Sequence, residues 1–219
     1  MCIRISGIPP EWDRQWLEEK LQTIDPEFDR GRAEIFGPFP DSYEPTQTAL
    51  LNLNQCTAYT AFEPNEEKHE VLYENSRRIR LRIDEHFHDL TPLNRAEVPI
   101  NMESVYLQKV IYLVLTCVHS VVAITGLGGH AFGSWLGRTT KPPIDRPMWL
   151  RDFLPQRFPN ARIMTYGYDS SLKESSGANI TDYRRGFIQC LRNSRRQCPV
   201  GLRLTRITLR VCLPFFYAI

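Results

Sequence analysis

Hydrophobic and polar positions alternate at both ends of the first ninety or so residues. Ile3 and Ile5 against Arg4 and Ser6 predict a half-buried strand over residues 2–8. The run Arg78-Ile79-Arg80-Leu81-Arg82-Ile83-Asp84 predicts another, with isoleucine and leucine on one face and arginine on the other. Between them the period changes. Trp12, Trp16, Leu17, Leu21 and Ile24 fall near helical spacing, with Pro10 placed for a first turn and Asp25-Pro26 as a stop. Residues 33–36 and 48–53 read as strands separated by a proline-rich loop, and residues 66–74 as a short helix. The order β-α-β-β-α-β predicts a small ferredoxin-like α+β domain over residues 1–94.

The second half is patterned differently. Val121-Val122-Ala123-Ile124-Thr125 is a short β-branched run of the kind buried on both faces of a parallel sheet. It breaks into a loop with Gly126, Gly128, Gly129 and His130, where the backbone can take positive φ or come close to a ligand. Ala161-Arg162-Ile163-Met164-Thr165-Tyr166 repeats the strand, and Gly167-Tyr168-Asp169-Ser170-Ser171 the loop. Residues 148–154 read as a short amphipathic helix stopped by Pro155. Ile180, Tyr183, Phe187, Ile188 and Leu191 give a longer helix one apolar face, with Asn179 or Thr181 as its cap. Two strands joined through helix predict a parallel α/β sheet whose loops gather at one edge. The uncharged run over residues 110–129 is long enough to cross a bilayer. Thr116, His119, Ser120 and Thr125 dilute it and its second half already serves as a strand, so a membrane span is the less favoured reading.

Charge sharpens the division. Residues 1–94 hold 10 Lys+Arg against 18 Asp+Glu, whereas the remainder holds 17 against 7. An acidic first segment repels phosphate, and its third strand (residues 48–53) carries neither the aromatics nor the basic residue that stack bases in an RNA-recognition motif. Nucleic acid is therefore not the expected partner; a protein partner or a packing role is. The six cysteines (Cys2, Cys56, Cys117, Cys190, Cys198, Cys212) form no CxxC pair, so neither a zinc site nor a disulfide framework is indicated. His86 and His88 share one side of an extended stretch, but no third ligand is placed with them, and they read as structural. The N-terminus lacks the apolar core and small-residue cleavage site of a signal peptide, which points to an intracellular rather than secreted protein.

Three stretches together carry a resemblance: Thr125-Gly126-Leu127-Gly128-Gly129-His130, then Met148-Trp149-Leu150-Arg151-Asp152-Phe153-Leu154-Pro155, then residues 158–170. In order and spacing, residues 121–200 resemble the front of a lipase-like α/β-hydrolase domain. They are similar in particular to the one near the N-terminus of many fungal NOD-like receptors, ahead of the NACHT or NB-ARC ATPase. The resemblance implies that the backbone N–H of Leu127 or Gly128 is an oxyanion-hole donor, with Gly126, Gly128, Gly129 and His130 as the glycine loop. Family members often carry His-Gly where this chain has Thr125-Gly126.

The chemistry of that family is not present. An α/β-hydrolase needs a G-x-S-x-G elbow followed by an acid and a histidine, and no G-x-S-x-G occurs here. Ser134, in Gly133-Ser134-Trp135, is in the wrong context, and Asp169 follows the earlier strand instead of the one that would carry the acid. His130 is read as ordering its loop, not as a base. Residues 201–219 alternate apolar residues with arginine, which fits an edge strand better than a central parallel one.

The expected protein is thus a truncated relative of receptor input regions: a ferredoxin-like (RRM-like) α+β domain over 1–94, a linker over 95–120, partial hydrolase sheet over 121–200 and a divergent tail over 201–219. It is non-catalytic as written, with no cofactor and no metal. The full-length relative would meet a protein partner or an ester or lipid-like small molecule. Residues 105–120 read as a translated intron, since their removal leaves a short polar link into the strand. The competing reading is a small interaction or membrane-anchored module without hydrolase ancestry in its function.

Overall fold

A computed structural model describes residues 2–26, 28, 33–42, 44–53, 67–74, 76–96, 120–137, 146–169, 180–196 and 207–211. They form a mixed α/β protein with few helices, in which most strands pair antiparallel. The chain divides into two compact units, Met1–Phe87 and His88–Ile219.

In the first unit, β1 (Cys2–Ile8), β2 (Ala33–Pro40), β3 (Gln47–Leu53), β4 (Lys68–Glu74) and β5 (Arg77–Asp84) form one antiparallel sheet in the order β2-β3-β1-β5-β4. The alternation read from the sequence is what the sheet uses. Ile3, Ile5, Leu51, Leu81 and Ile83 are fully buried in one cluster, and Leu17 and Leu21 of α1 (Arg14–Ile24) join it. Those two leucines are four apart and so lie on one stripe of the helix. Trp16 is not part of that stripe: it is 46% exposed, with the Lys20 ammonium 5.0 Å from its ring centroid. The helix begins at Asp13, whose carboxylate accepts the Trp16 N–H at 2.9 Å, and not at Pro10.

Gly7 explains an irregularity in β1. The register against β3 shifts between Ile5 and Ile8. There Gly7 has φ +81°, and a Cβ would lie 2.4 Å from the Arg80 carbonyl oxygen, so only glycine fits.

Two expectations for this unit change. Residues 68–74 are strand β4, not a helix, and all seven residues pair with β5 from Lys68↔Ile83 to Glu74↔Arg77. Pairing with an arginine-faced strand outweighs weak local helix preference here. The first unit also ends before residue 94. Asp89–Pro92 is strand β6, and it pairs antiparallel with a strand of the second unit.

On the face of β1 opposite the core, Arg4 Nε and Nη2 donate to one Asp84 oxygen at 3.0 and 2.8 Å, with both side chains only 4% exposed. The other Asp84 oxygen accepts the Phe87 N–H at 2.8 Å. Both oxygens of the buried carboxylate are therefore engaged, which is the condition under which a buried charge is tolerated.

The second unit contains β6, β7 (Ser120–Ile124), β8 (Arg162–Gly167) and β9 (Ile207–Val211) in the order β6-β8-β7-β9. β7 is parallel to both β8 and β9, while β6 is antiparallel to β8 at the edge. β7 starts at Ser120, one position before the expected Val121. The other edge belongs to β9, the stretch that alternates with arginine.

The helix read over residues 148–154 is two short ones, α2 (Trp149–Asp152) and α3 (Leu154–Arg157), broken at Phe153. Pro155 lies in the first turn of α3, where its missing N–H costs nothing, and so it starts a helix instead of stopping one. α4 (Ile180–Arg196) runs four residues beyond Arg192, the expected end. Most of the expected linker, residues 97–119, lies outside the described residues, and with it nearly all of the segment read as an intron and the first half of the apolar run; Ser120 to Ile124 of that run are strand. No helix among the described residues is long and apolar enough to cross a membrane.

Candidate functional site

The second sheet reverses direction around β7. From β7 the chain returns beside it as β8 on one side, and from β8 it crosses to the other side as β9. β7 therefore stands at a switch point, and the crevice outside the carboxyl ends of such strands is where open α/β sheets bind ligands. The glycine loop leaves β7 at its carboxyl end.

Its backbone is a tight turn. The Gly129 N–H donates to the Gly126 carbonyl at 3.1 Å, and Gly128 at the third position has φ +70°. A positive φ there with an ordinary one at Leu127 makes this a type II turn, which favours glycine at that place. Gly129 is confined too: a Cβ would come within 3.0 Å of the Gly126 carbonyl oxygen and 3.1 Å of Ser134 Oγ. Leu127 is 60% exposed and Gly128 is exposed as well. Neither N–H has an acceptor among the described residues. Two adjacent donors thus stand at the switch point with nothing of the described chain bonded to them.

His130 and Ser134 hold the far side of the loop. His130 Nδ1 accepts the Phe132 N–H at 3.1 Å and the Gly133 N–H at 2.9 Å. These N–H groups belong to the residue before the 3-10 turn Gly133–Trp135 and to its first residue, so the imidazole satisfies two donors at the start of the turn. A ring nitrogen that accepts two N–H bonds acts here as an acceptor and not as a donor. Ser134 Oγ accepts the backbone N–H of His130 at 3.1 Å. The bond joining the two residues runs from the backbone of His130 to the Ser134 hydroxyl oxygen, and is not the one between nucleophile and base. The ring nitrogen nearest the loop is filled by amides, and the hydroxyl oxygen is bonded to backbone.

Aromatic residues brace the loop from the neighbouring strand. The Tyr168 hydroxyl donates to the Thr125 carbonyl at 3.0 Å. Tyr166 and Tyr168, two apart on the extended chain, stack at 6.0 Å and meet Phe187 and Tyr183 of α4 at 4.8 and 4.9 Å. Burial pushes the Tyr166 hydroxyl well above its ordinary pKa, with Cys190 and Asp89 adding to the shift. Burial, then Tyr183, raises Tyr168 in the same direction. Both rings therefore stay protonated donors. Cys190 Sγ lies 3.1 Å from an Asp89 oxygen and ties α4 to β6. On the other flank Trp135 is buried and meets Trp149 of α2 edge-on at 6.1 Å.

Of the residues singled out from the sequence, Gly126, Leu127, Gly128, Gly129, His130 and Ser134 lie in this one loop. Asp169 follows β8 and is exposed. The tyrosine brace was missed. Its only sequence signal was the two-residue spacing of Tyr166 and Tyr168 opposite the four-residue spacing of Tyr183 and Phe187. Among the described residues no group of three His, Cys, Asp or Glu side chains could hold a metal ion. Comparison with known protein families, characterised proteins and solved structures finds no match for this chain.

Proposed function

We propose that the second unit is the oxyanion-loop portion of a lipase-like α/β-hydrolase domain, similar to the input region of fungal NOD-like receptors, and that this chain does not itself turn over substrate. One observation carries the reading: the glycine loop lies at the carboxyl end of β7, at a switch point, with the Leu127 and Gly128 N–H groups unbonded among the described residues. An oxyanion hole combines a donor from such a loop with the N–H beside the nucleophile, so the two strands that supply them must be neighbours. β9 runs parallel beside β7, which is where the second donor would be needed. The residues after it are Cys212-Leu213-Pro214, not a G-x-S-x-G elbow. The loop could hold an acyl oxygen; no described residue is set to attack the acyl carbon.

The first unit accords with the rest of the proposal. The order β2-β3-β1-β5, with α1 packed on the core side, supports the ferredoxin-like reading, although strand β4 stands where that reading expects a second helix. Its role is contact with a protein partner inside the cell. In a relative that carries the elbow serine, acid and histidine, the ligand class of this unit is an ester or lipid-like small molecule.

Two measurements test this. Purified chain should neither hydrolyse short acyl esters nor react with a fluorophosphonate probe; labelling abolished by Ser134→Ala would overturn the non-catalytic reading. Amide hydrogen exchange should be near the unprotected rate at Leu127 and Gly128 and slow at Gly129. Protection of both Leu127 and Gly128 would mean that the donors are already occupied, and the oxyanion role would fall.

A further inference from the structure

The two edges of the first sheet are built differently. β2 is irregular: its register against β3 shifts between Phe36 and Phe39, and Pro38 and Pro40 have no N–H to offer another strand. Such features blunt an edge. β4, at the opposite edge, has no proline and no bulge, and pairs without interruption over its seven residues. No strand lies beyond it among the described residues. Its face away from the core carries His69, Val71 and Tyr73, with Val71 36% and Tyr73 76% exposed. Leu72 on the other face packs against the core.

We propose that β4 is a self-association edge, where a second copy of this chain adds its own β4 antiparallel across a two-fold axis at Val71. The sequence Lys68-His69-Glu70-Val71-Leu72-Tyr73-Glu74 is complementary to itself in that register. Lys68, which pairs with Glu70 at 2.8 Å within its own chain, comes opposite Glu74 of the other copy. That Glu74 is itself bonded to Lys20 and Trp12 at 3.0 Å, so the cross-copy contact extends ion pairs already formed. His69 faces Tyr73, Glu70 faces Leu72, and Val71 meets Val71. Directly opposed charges of unlike sign stabilise an antiparallel pair, and like charges oppose it.

The other registers are worse on the same count. Sliding by two residues one way opposes Glu70 to Glu70; sliding the other way opposes Glu70 to Glu74 twice. A slip of one residue turns the exposed face of one copy toward the core side of the other. Parallel pairing in register sets every charge against itself. The charges that keep β4 from pairing indiscriminately thus permit one partner arrangement. Contact is isologous, as a closed dimer requires, and joins two five-stranded sheets into one of ten. It rests on one strand per copy, so the dimer is a weak, concentration-dependent one.

Sedimentation velocity of the full chain up to about 200 µM tests the proposal, with a monomer–dimer equilibrium expected. Val71→Lys opposes two ammonium groups at the axis and should raise the dissociation constant at least about tenfold. Because Cα atoms of directly opposed residues are about 4.5–5.5 Å apart, Val71→Cys should oxidise to a 71–71 disulfide identified by mass spectrometry. Tyr73→Cys faces His69 and should give no such link; the unsubstituted chain controls for the native cysteines. Circular dichroism checks that Val71→Lys still folds, and the cysteine pair supplies a second readout if it does not. A monomer at every concentration with no link at position 71 overturns the proposal and leaves the edge to another protein's strand or to none. A dimer indifferent to Val71→Lys, or equal cross-linking at positions 71 and 73, overturns it too.

Discussion

The two sheets acquire their neighbours in opposite ways. In the first unit β4 and β5 are joined by a hairpin, and every strand lies between Cys2 and Asp84. In the second, the central strand β7 pairs with segments that begin at Arg162 and Ile207, far along the chain. The first sheet is secured by a stripe of branched apolar side chains and a buried ion pair behind it. The second is secured at its centre by β7 and β8, and at one end by tyrosines that reach from β8 to α4 and to the glycine loop. Antiparallel pairing lets alternation alone set which face is buried. A parallel strand needs a crossover of a dozen or more residues before it meets its partner.

Breaking each device separates the two cases. The largest effect is expected at the buried pair. Arg4→Ala leaves Asp84 charged and enclosed, and should cost about 3–5 kcal/mol in urea unfolding, with amide exchange of β1 accelerated. Arg4→Met combined with Asp84→Leu should recover most of the loss; failure of that recovery would mean that the Phe87 N–H bond to Asp84, not the ion pair, is the main contribution. Next is the core of the second sheet. Ile163 is fully buried in β8, and Ile163→Ala should cost about 3 kcal/mol through the cavity left behind.

Alkali should then act on the tyrosine brace. Both Tyr166 and Tyr168 have folded pKa values raised above the ordinary value of about 10. The folded chain therefore holds these protons more tightly than the unfolded one, and their contribution is complete below about pH 10 and declines as pH rises through and beyond it. Tyr166→Phe should flatten the alkaline limb of a stability–pH curve; an unchanged limb would show that other groups set it. The smallest effect is at the loop. His130→Ala removes the acceptor of two N–H groups and should cost about 1 kcal/mol, within the range of a lost cap. Its mark is faster exchange at Phe132 and Gly133 with little change at β7.

Legibility from sequence follows the same division. β1 and β5 were visible because their alternation is set by one buried face, and β7 and β8 because they are short apolar runs beside glycine. β4 was misread because Val71 and Leu72 among charged residues suit a helix as well as a strand until the partner is known. β6 was missed because four residues ending in proline carry no period, and its partner β8 begins some seventy positions later. At the site, the glycines announced the turn and the placement of Leu127 and Gly128 on it. The role of the His130 imidazole could not be read, since no spacing shows that a side chain takes the amides two and three residues ahead. The Tyr168 bond to Thr125 likewise exists only once β8 is laid beside β7.

The strand order of the second sheet also has a consequence for biosynthesis. When β8 has emerged from the ribosome, β7 has one neighbour and, among the described residues, an open side that only β9 fills. The 40 positions from Gly167 to Ile207 take roughly 2–8 s to translate at the usual rate. For that interval the nascent chain presents a β-branched strand with unpaired amides and carbonyls on one side, the form most prone to capture by another polypeptide. The first unit, whose last strand ends at Asp84, has all of its strands long before then.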